Sequence, residues 1–192
     1  LINGGAKSAA EKAGVKFIQL AAEKGELSKQ LAIVEDMITR KVNAIAIAPV
    51  DSAGIAPAVN KALAAGIPVV AVDTGVSGAD ITSYVATDNI KAARVQGEWA
   101  ATQVKSGDTV IYVTGDQGQS TGRERKQGFL DGLNGKVKGV KVVEVPTAWD
   151  QTQAQNGVEA ALRANPNAKI IANAWDGGAL GAKAAMMSQG FK

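Results

Sequence analysis

The sequence has neither cysteine nor histidine among its 192 residues. Without cysteine there is no disulfide, no thiolate nucleophile and no cysteine metal site. Without histidine, the commonest general base, the usual activator of a serine and the usual zinc ligand are missing. A hydrolase or metalloenzyme would have to work with carboxylates and lysine alone. The expectation is therefore a protein that is not an enzyme and holds no metal or other cofactor. No apolar run approaches the roughly 20 residues that span a bilayer. The net charge is only +3, with basic residues scattered along the chain, so nucleic acid is not an expected partner.

What remains is globular: 46% hydrophobic and 20% charged residues is a composition that can build a core. Short β-rich runs alternate with helical periods. Strands are predicted at 15–20, 44–49, 68–73, 81–86, 109–114, 140–145 and 168–174. Most are apolar on consecutive positions, as strands covered on both faces should be. Between them lie helical segments such as "LSKQLAIVEDMITRK", where Leu27, Leu31, Val34 and Ile38 share one face. This order predicts an α/β fold with parallel sheets flanked by helices and right-handed crossovers.

One junction breaks the rhythm: "TGVSGAD" joins two strands without a helix. We expect the chain to change sheets near 86–89, giving one lobe at 1–86, a second at 87–192 and a cleft between them. The sequence opens and closes on helical periods, with no strand before the first or after the last. A parallel sheet built in this way is expected to continue past both ends, so the chain reads as a fragment.

In open α/β sheets ligands sit at the carboxyl ends of the strands. Those tips carry Asp51, Asp73, Thr74, Asp88, Asn89, Arg123, Trp149, Asp150, Trp175 and Asp176. Carboxylates and a guanidinium bind vicinal hydroxyls in pairs, and a flat indole stacks on the C–H face of a sugar ring. Asp51, Asp88, Asp150 and Asp176 also stand at helix starts, where capping explains them equally well. Asp73 ends a strand with no helix after it, and Trp149 lies in a polar loop, so neither has that explanation. Trp99 fits helix packing.

The loop "GDQGQSTGRERKQGF" (115–129) resembles a phosphate cradle, but its glycines match neither G-x-G-x-x-G nor G-x-x-x-x-G-K-[ST]. Arg123 and Arg125, two apart on a helix, diverge by about 200°. Arg123, in the first turn, is expected to face the cleft, and Arg125 to pair with an acid on the surface.

"GQSTGRERKQGF", "KVNAIAIAPVDSAGIAPAVNKALAAGIPVVAVD", "ATDNIKAA" and "GALGA" together resemble the periplasmic sugar-binding proteins of ABC importers, in the ribose- and galactose-binding group. The resemblance covers essentially the whole chain. It implies the type I periplasmic binding protein architecture, two Rossmann-like lobes that close on a sugar or polyol about a hinge at Thr87, Asp88 and Asn89. It further implies a monomer in the periplasm whose partner is a membrane permease. Carried over by motif, the ligand residues would be Asp73 and Thr74 from the first lobe and Arg123, Trp149, Trp175 and Asp176 from the second. Thr74 stands where that group has an arginine, and Trp175 where it has an asparagine, which points away from ribose itself. The same fold serves as the effector domain of LacI-type repressors, the alternative reading.

Overall fold

A computed structural model of the chain describes residues 2–190. The chain builds two three-stranded parallel sheets flanked by helices. The first contains β1 (Ile45–Ile47), β2 (Val69–Val72) and β3 (Ser83–Val85), in that spatial order, with Ile45 opposite Val69 and Val70 opposite Ser83. Helices α1 (Ile2–Lys12) and α2 (Leu27–Thr39) precede it, and α3 (Ala56–Ala64) connects β1 to β2. Val34, Ile45, Ile47, Ile55, Val59, Ile67 and Val69 form its core. The helical period of α2 puts Leu27, Leu31, Val34 and Ile38 on one face against this core, Val34 buried and the other three partly covered.

No helix links β2 to β3. The loop between them lies on the same core through Val76, Ala79 and Ile81, and is held by Ser77 N–H on the Ser52 carbonyl at 2.7 Å. The loop thus covers the face that a crossover helix would otherwise cover.

Past Val85 the chain reaches α4 (Asn89–Ala101), which packs on the second sheet. That sheet has β4 (Thr109–Val113) between β5 (Lys141–Val145) and β6 (Ile170–Asn173). Val110, Ile111, Tyr112 and Val113 are fully buried in succession, as a central strand covered on both faces requires. Helices α6 (Gln151–Ala164) and α7 (Asp176–Ser188) cover one face, against Ile111 and Val113. Helices α4 and α5 (Ser120–Lys136) cover the other, against Val110 and Tyr112, with Phe129 stacked on Tyr112 at 4.4 Å.

α4 and α5 cross at backbone contact. A Cβ on Gly97 would overlap the Phe129 carbonyl oxygen, and one on Gly128 or Gly132 would overlap that of Ile90 or Arg94.

The strand expected at 15–20 does not form. Val15, Phe17 and Leu20 are exposed, and among the described residues no neighbouring strand offers this stretch a ladder. Its β-rich composition lacks the pairing partner that a strand needs. The other six predicted strands form, trimmed by a residue or two at their ends.

Candidate functional site

At the carboxyl end of β2 the backbone turns sharply at Asp73, whose φ is 65°. Its N–H stays on the ladder, donating to the Val85 carbonyl at 2.9 Å. Its own carbonyl accepts from the Tyr84 hydroxyl at 3.0 Å and from Thr121 Oγ1 at 3.1 Å. These bonds fix a left-handed conformation uncommon outside glycine. The carboxylate has no hydrogen-bond partner among the described residues. Thr74 differs: it is 2% exposed, and its hydroxyl meets that of Thr121 at 3.1 Å.

Beyond β4, the loop 114–119 is shaped by Asp116, which accepts from Gly118 N–H at 2.8 Å. Helix α5 then begins at Ser120. Thr121, Arg125, Phe129 and Leu133 recur every four residues and share a face. Thr121 on that face reaches Asp73, so Arg125, one turn further on, also looks inward.

The two arginines therefore stand opposite to the sequence expectation. Arg123 is exposed and donates to the Gln117 carbonyl of its own loop at 2.8 Å. Among the described residues, Arg125 forms no surface ion pair. Its Nε donates to Asn89 Oδ1 at 2.9 Å and one terminal nitrogen to the Ala174 carbonyl at 2.8 Å. The pair diverges as its spacing requires, and the buried face of the helix sets which of the two turns inward. Phe129 gave the signal: it is the apolar anchor four residues beyond Arg125.

Trp149 lies beside this guanidinium, with the guanidinium carbon 5.8 Å from its ring centroid. It too has a left-handed backbone, φ 58°. Its ring packs over Gly115, where a Cβ would overlap it, and its Nε1 donates to Gln119 Oε1 at 2.8 Å. Trp175 meets it edge-on at 5.3 Å and an angle of 87°. One wall thus brings together Arg125, Asn89, Trp149 and Trp175, and the Thr121–Asp73 bond ties it to the end of β2. No carboxylate pairs with Arg125 among the described residues, so guanidinium N–H groups remain for a ligand.

The remaining tip residues have other roles. Asp88 and Asp150 cap their helices, accepting from Lys91 N–H at 2.9 Å and Gln153 N–H at 2.7 Å. Asp51 accepts from Ala53 and Gly54 N–H in the turn before α3. Asp176 is exposed in the first turn of α7. Thr87 is exposed ahead of α4, whereas Asn89 is 2% exposed and holds both Arg125 and Glu124. The sequence places Asn89 among the strand-tip candidates and at the hinge, and its anchoring of Arg125 emerges only from the α4–α5 crossing.

Two cavities open on the second sheet. One of about 260 Å³ is lined by Thr87, Asn89, Gln96, Arg125 and Asn173. Another of about 340 Å³ lies between α4 and β6, beside Gln96, Trp99, Asn173, Trp175 and Asp176. Trp99, expected to be a packing residue, is 59% exposed on that rim. Among the described residues, Asn173 Oδ1, Thr114 Oγ1 and the Tyr112 hydroxyl are buried without partners. Burial raises the pKa of the Tyr112 phenol far above its ordinary value, with Glu144 adding slightly and Arg125 opposing, so it stays neutral.

A parallel two-sheet α/β chain with polar and aromatic residues at its strand ends has the architecture of a type I periplasmic binding protein. Comparison with known proteins agrees: residues 1–192 match the model of the periplasmic binding protein domain, and the chain belongs to that family. It is 33% identical to the ribose import binding protein of Bacillus subtilis strain 168 over 186 residues, 97% of this chain and 60% of that protein. It is 30% identical to the ribose import binding protein of Salmonella typhimurium over 189 residues, 98% of this chain and 63% of that one. A solved periplasmic solute-binding protein of an ABC transporter from Actinobacillus succinogenes, with bound D-allose, superposes with a TM-score of 0.84 at 31% identity, covering 98% of this chain and 68% of that one. The chain spans less than two thirds of the length of these curated relatives.

Proposed function

We propose that the protein is the solute receptor of an ABC importer. In the periplasm it binds a monosaccharide or related polyol between its lobes and passes it unchanged to a membrane permease, acting as a monomer and not as an enzyme. The observation that carries this reading is the wall of Arg125, Trp149 and Trp175, tied by the Thr121 hydroxyl to the backbone carbonyl of Asp73, whose carboxylate makes no hydrogen bond among the described residues. A guanidinium and a carboxylate grip adjacent hydroxyls, and the indoles take the apolar face of a ring. Names of relatives that bind ribose or D-allose support the ligand class.

In this reading Asp73, Arg125, Trp149 and Trp175 contact the ligand. Asp176 stands at the rim, and Arg123 lies outside the site. The lobes divide as 1–86 and 87–192, and Thr87 and Asp88 flex as the lobes close, while Asn89 moves with the second lobe.

The test is a thermal-shift screen of the intact protein against D-ribose, D-allose and a panel of hexoses, pentoses and polyols. A ligand at a thousand times its Kd stabilises by about 4 kcal/mol, so a cognate sugar raises Tm by several degrees. A panel in which nothing shifts the transition rejects the reading.

A further inference from the structure

The lobes are also joined by bonds that no ligand makes. The short run 118–121 sits on the loops that end β1 and β2. Ser52 N–H donates to the Gly118 carbonyl at 3.1 Å, and Ser120 N–H donates to Ser52 Oγ at 2.9 Å. Gly75 N–H donates to Ser120 Oγ at 2.9 Å, and Gln119 Nε2 to the Val50 carbonyl at 3.3 Å. Thr121 Oγ1 donates to the Asp73 carbonyl and also meets Thr74 Oγ1. With the Thr121 proton directed at Asp73, the Thr74 hydroxyl is the donor in that pair. Ser52, Thr74 and Thr121 are all nearly inaccessible to water.

We propose that Ser52, Thr74, Ser120 and Thr121 form a closing latch, and that the latch positions the Asp73 carboxylate. This rests on the reading above, in which Asp73 contacts the sugar. The Asp73 carbonyl is held from its own lobe by Tyr84 and from the other lobe by Thr121, at a backbone conformation costly for a non-glycine residue. Only when the lobes meet is that set of bonds complete, so closure and the aim of the carboxylate are one event. Thr74, placed by the sequence among the ligand contacts, acts instead on the opposite lobe. Because these bonds never touch the ligand, their loss weakens all sugars by the same factor. It does so by faster release, since closure follows encounter.

The experiment uses the intact protein with spin labels at Ala64→Cys and Asn156→Cys, both exposed and one in each lobe. The absence of native cysteine makes the labels unique. Thr74→Val with Thr121→Val, and separately Ser120→Ala, are expected to shift the distance distribution towards longer separations. Thr121→Ser, which keeps the hydroxyl, is expected to restore it. In titrations the double Val variant is expected to raise Kd for D-ribose and D-allose in the same proportion, by roughly tenfold, with koff carrying the change. Distances unchanged in the double variant and in Ser120→Ala overturn the latch, as does a loss confined to one sugar. Asp73→Asn separates the two claims. If it leaves affinity intact, the reading of the site fails while the spin-label distances still decide the latch. If it abolishes affinity and the Val variants change nothing, the latch alone fails.

Discussion

Arg125 donates its Nε–H to Asn89 Oδ1 at 2.9 Å, from the middle of one helix to the first residue of another. This bond, with that to the Ala174 carbonyl, fixes the guanidinium plane beside Trp149. The site is therefore anchored on the α4–α5 crossing and not on a loop. In the proposed reading, replacing Arg125 with Ala removes charged hydrogen bonds to the ligand and is expected to weaken sugar binding by about 1.5–3 kcal/mol by calorimetry. Arg123→Ala is expected to leave affinity unchanged, because that side chain bonds only the carbonyl of its own loop. Equal losses from both would reject the orientation described here.

Gly115 is the floor under Trp149. A methyl group at this position would enter the ring, and the side chain cannot yield without losing its edge-on contact with Trp175 and its bond to Gln119. Gly115→Ala is expected to lower stability by about 1–3 kcal/mol in chemical denaturation and to reduce sugar affinity as well. Unchanged tryptophan fluorescence and affinity in this variant would show that the ring has room to move.

The fold was legible where local pattern decides it. Six strands and the helices between them follow from apolar runs and helical periods that each segment carries by itself. The stretch 15–20 has the same composition as those strands, but pairing is a property of neighbours, and here the composition alone misleads. Among the candidate site residues, Asp73 and Trp149 stand out in the sequence because neither has a capping or packing role there to explain it. Arg125 did not stand out, because its direction depends on where the helix starts and on which face Phe129 buries. Thr74 is ambiguous for a similar reason: a hydroxyl at a strand tip serves a ligand or a neighbouring helix equally well until its contact with the Thr121 hydroxyl is seen.

α5 contains its own control for the helix crossing. Gly132 abuts the Arg94 carbonyl oxygen, a backbone atom that cannot turn aside, whereas a Cβ at Gly135 would meet nothing. Gly132→Ala is expected to destabilise by about 1–3 kcal/mol, from overpacking. Gly135→Ala is expected to stabilise by up to about 1 kcal/mol, since alanine is the better helix former. Urea denaturation of the two variants reads opposite signs if α4 and α5 cross as described; equal signs would contradict the crossing.

Glu159 ties α6 to α7, and its effect on stability depends on pH. Hydrogen bonds from Gln155 and Ser188, the latter at 3.0 Å, hold its pKa below the ordinary glutamate value, with Arg163 helping and desolvation opposing. A carboxylate that is more acidic folded than unfolded stabilises fully above its unfolded pKa and loses that contribution as pH falls through the folded one. The urea midpoint is therefore expected to decline on acidification below the ordinary glutamate range, with Glu159 contributing part of the slope. Glu159→Gln keeps an acceptor for both donors but cannot titrate, so its midpoint is expected to vary less with pH over that window. A variant whose acid profile parallels that of the parent would show that the two bonds do not favour the ionised carboxylate.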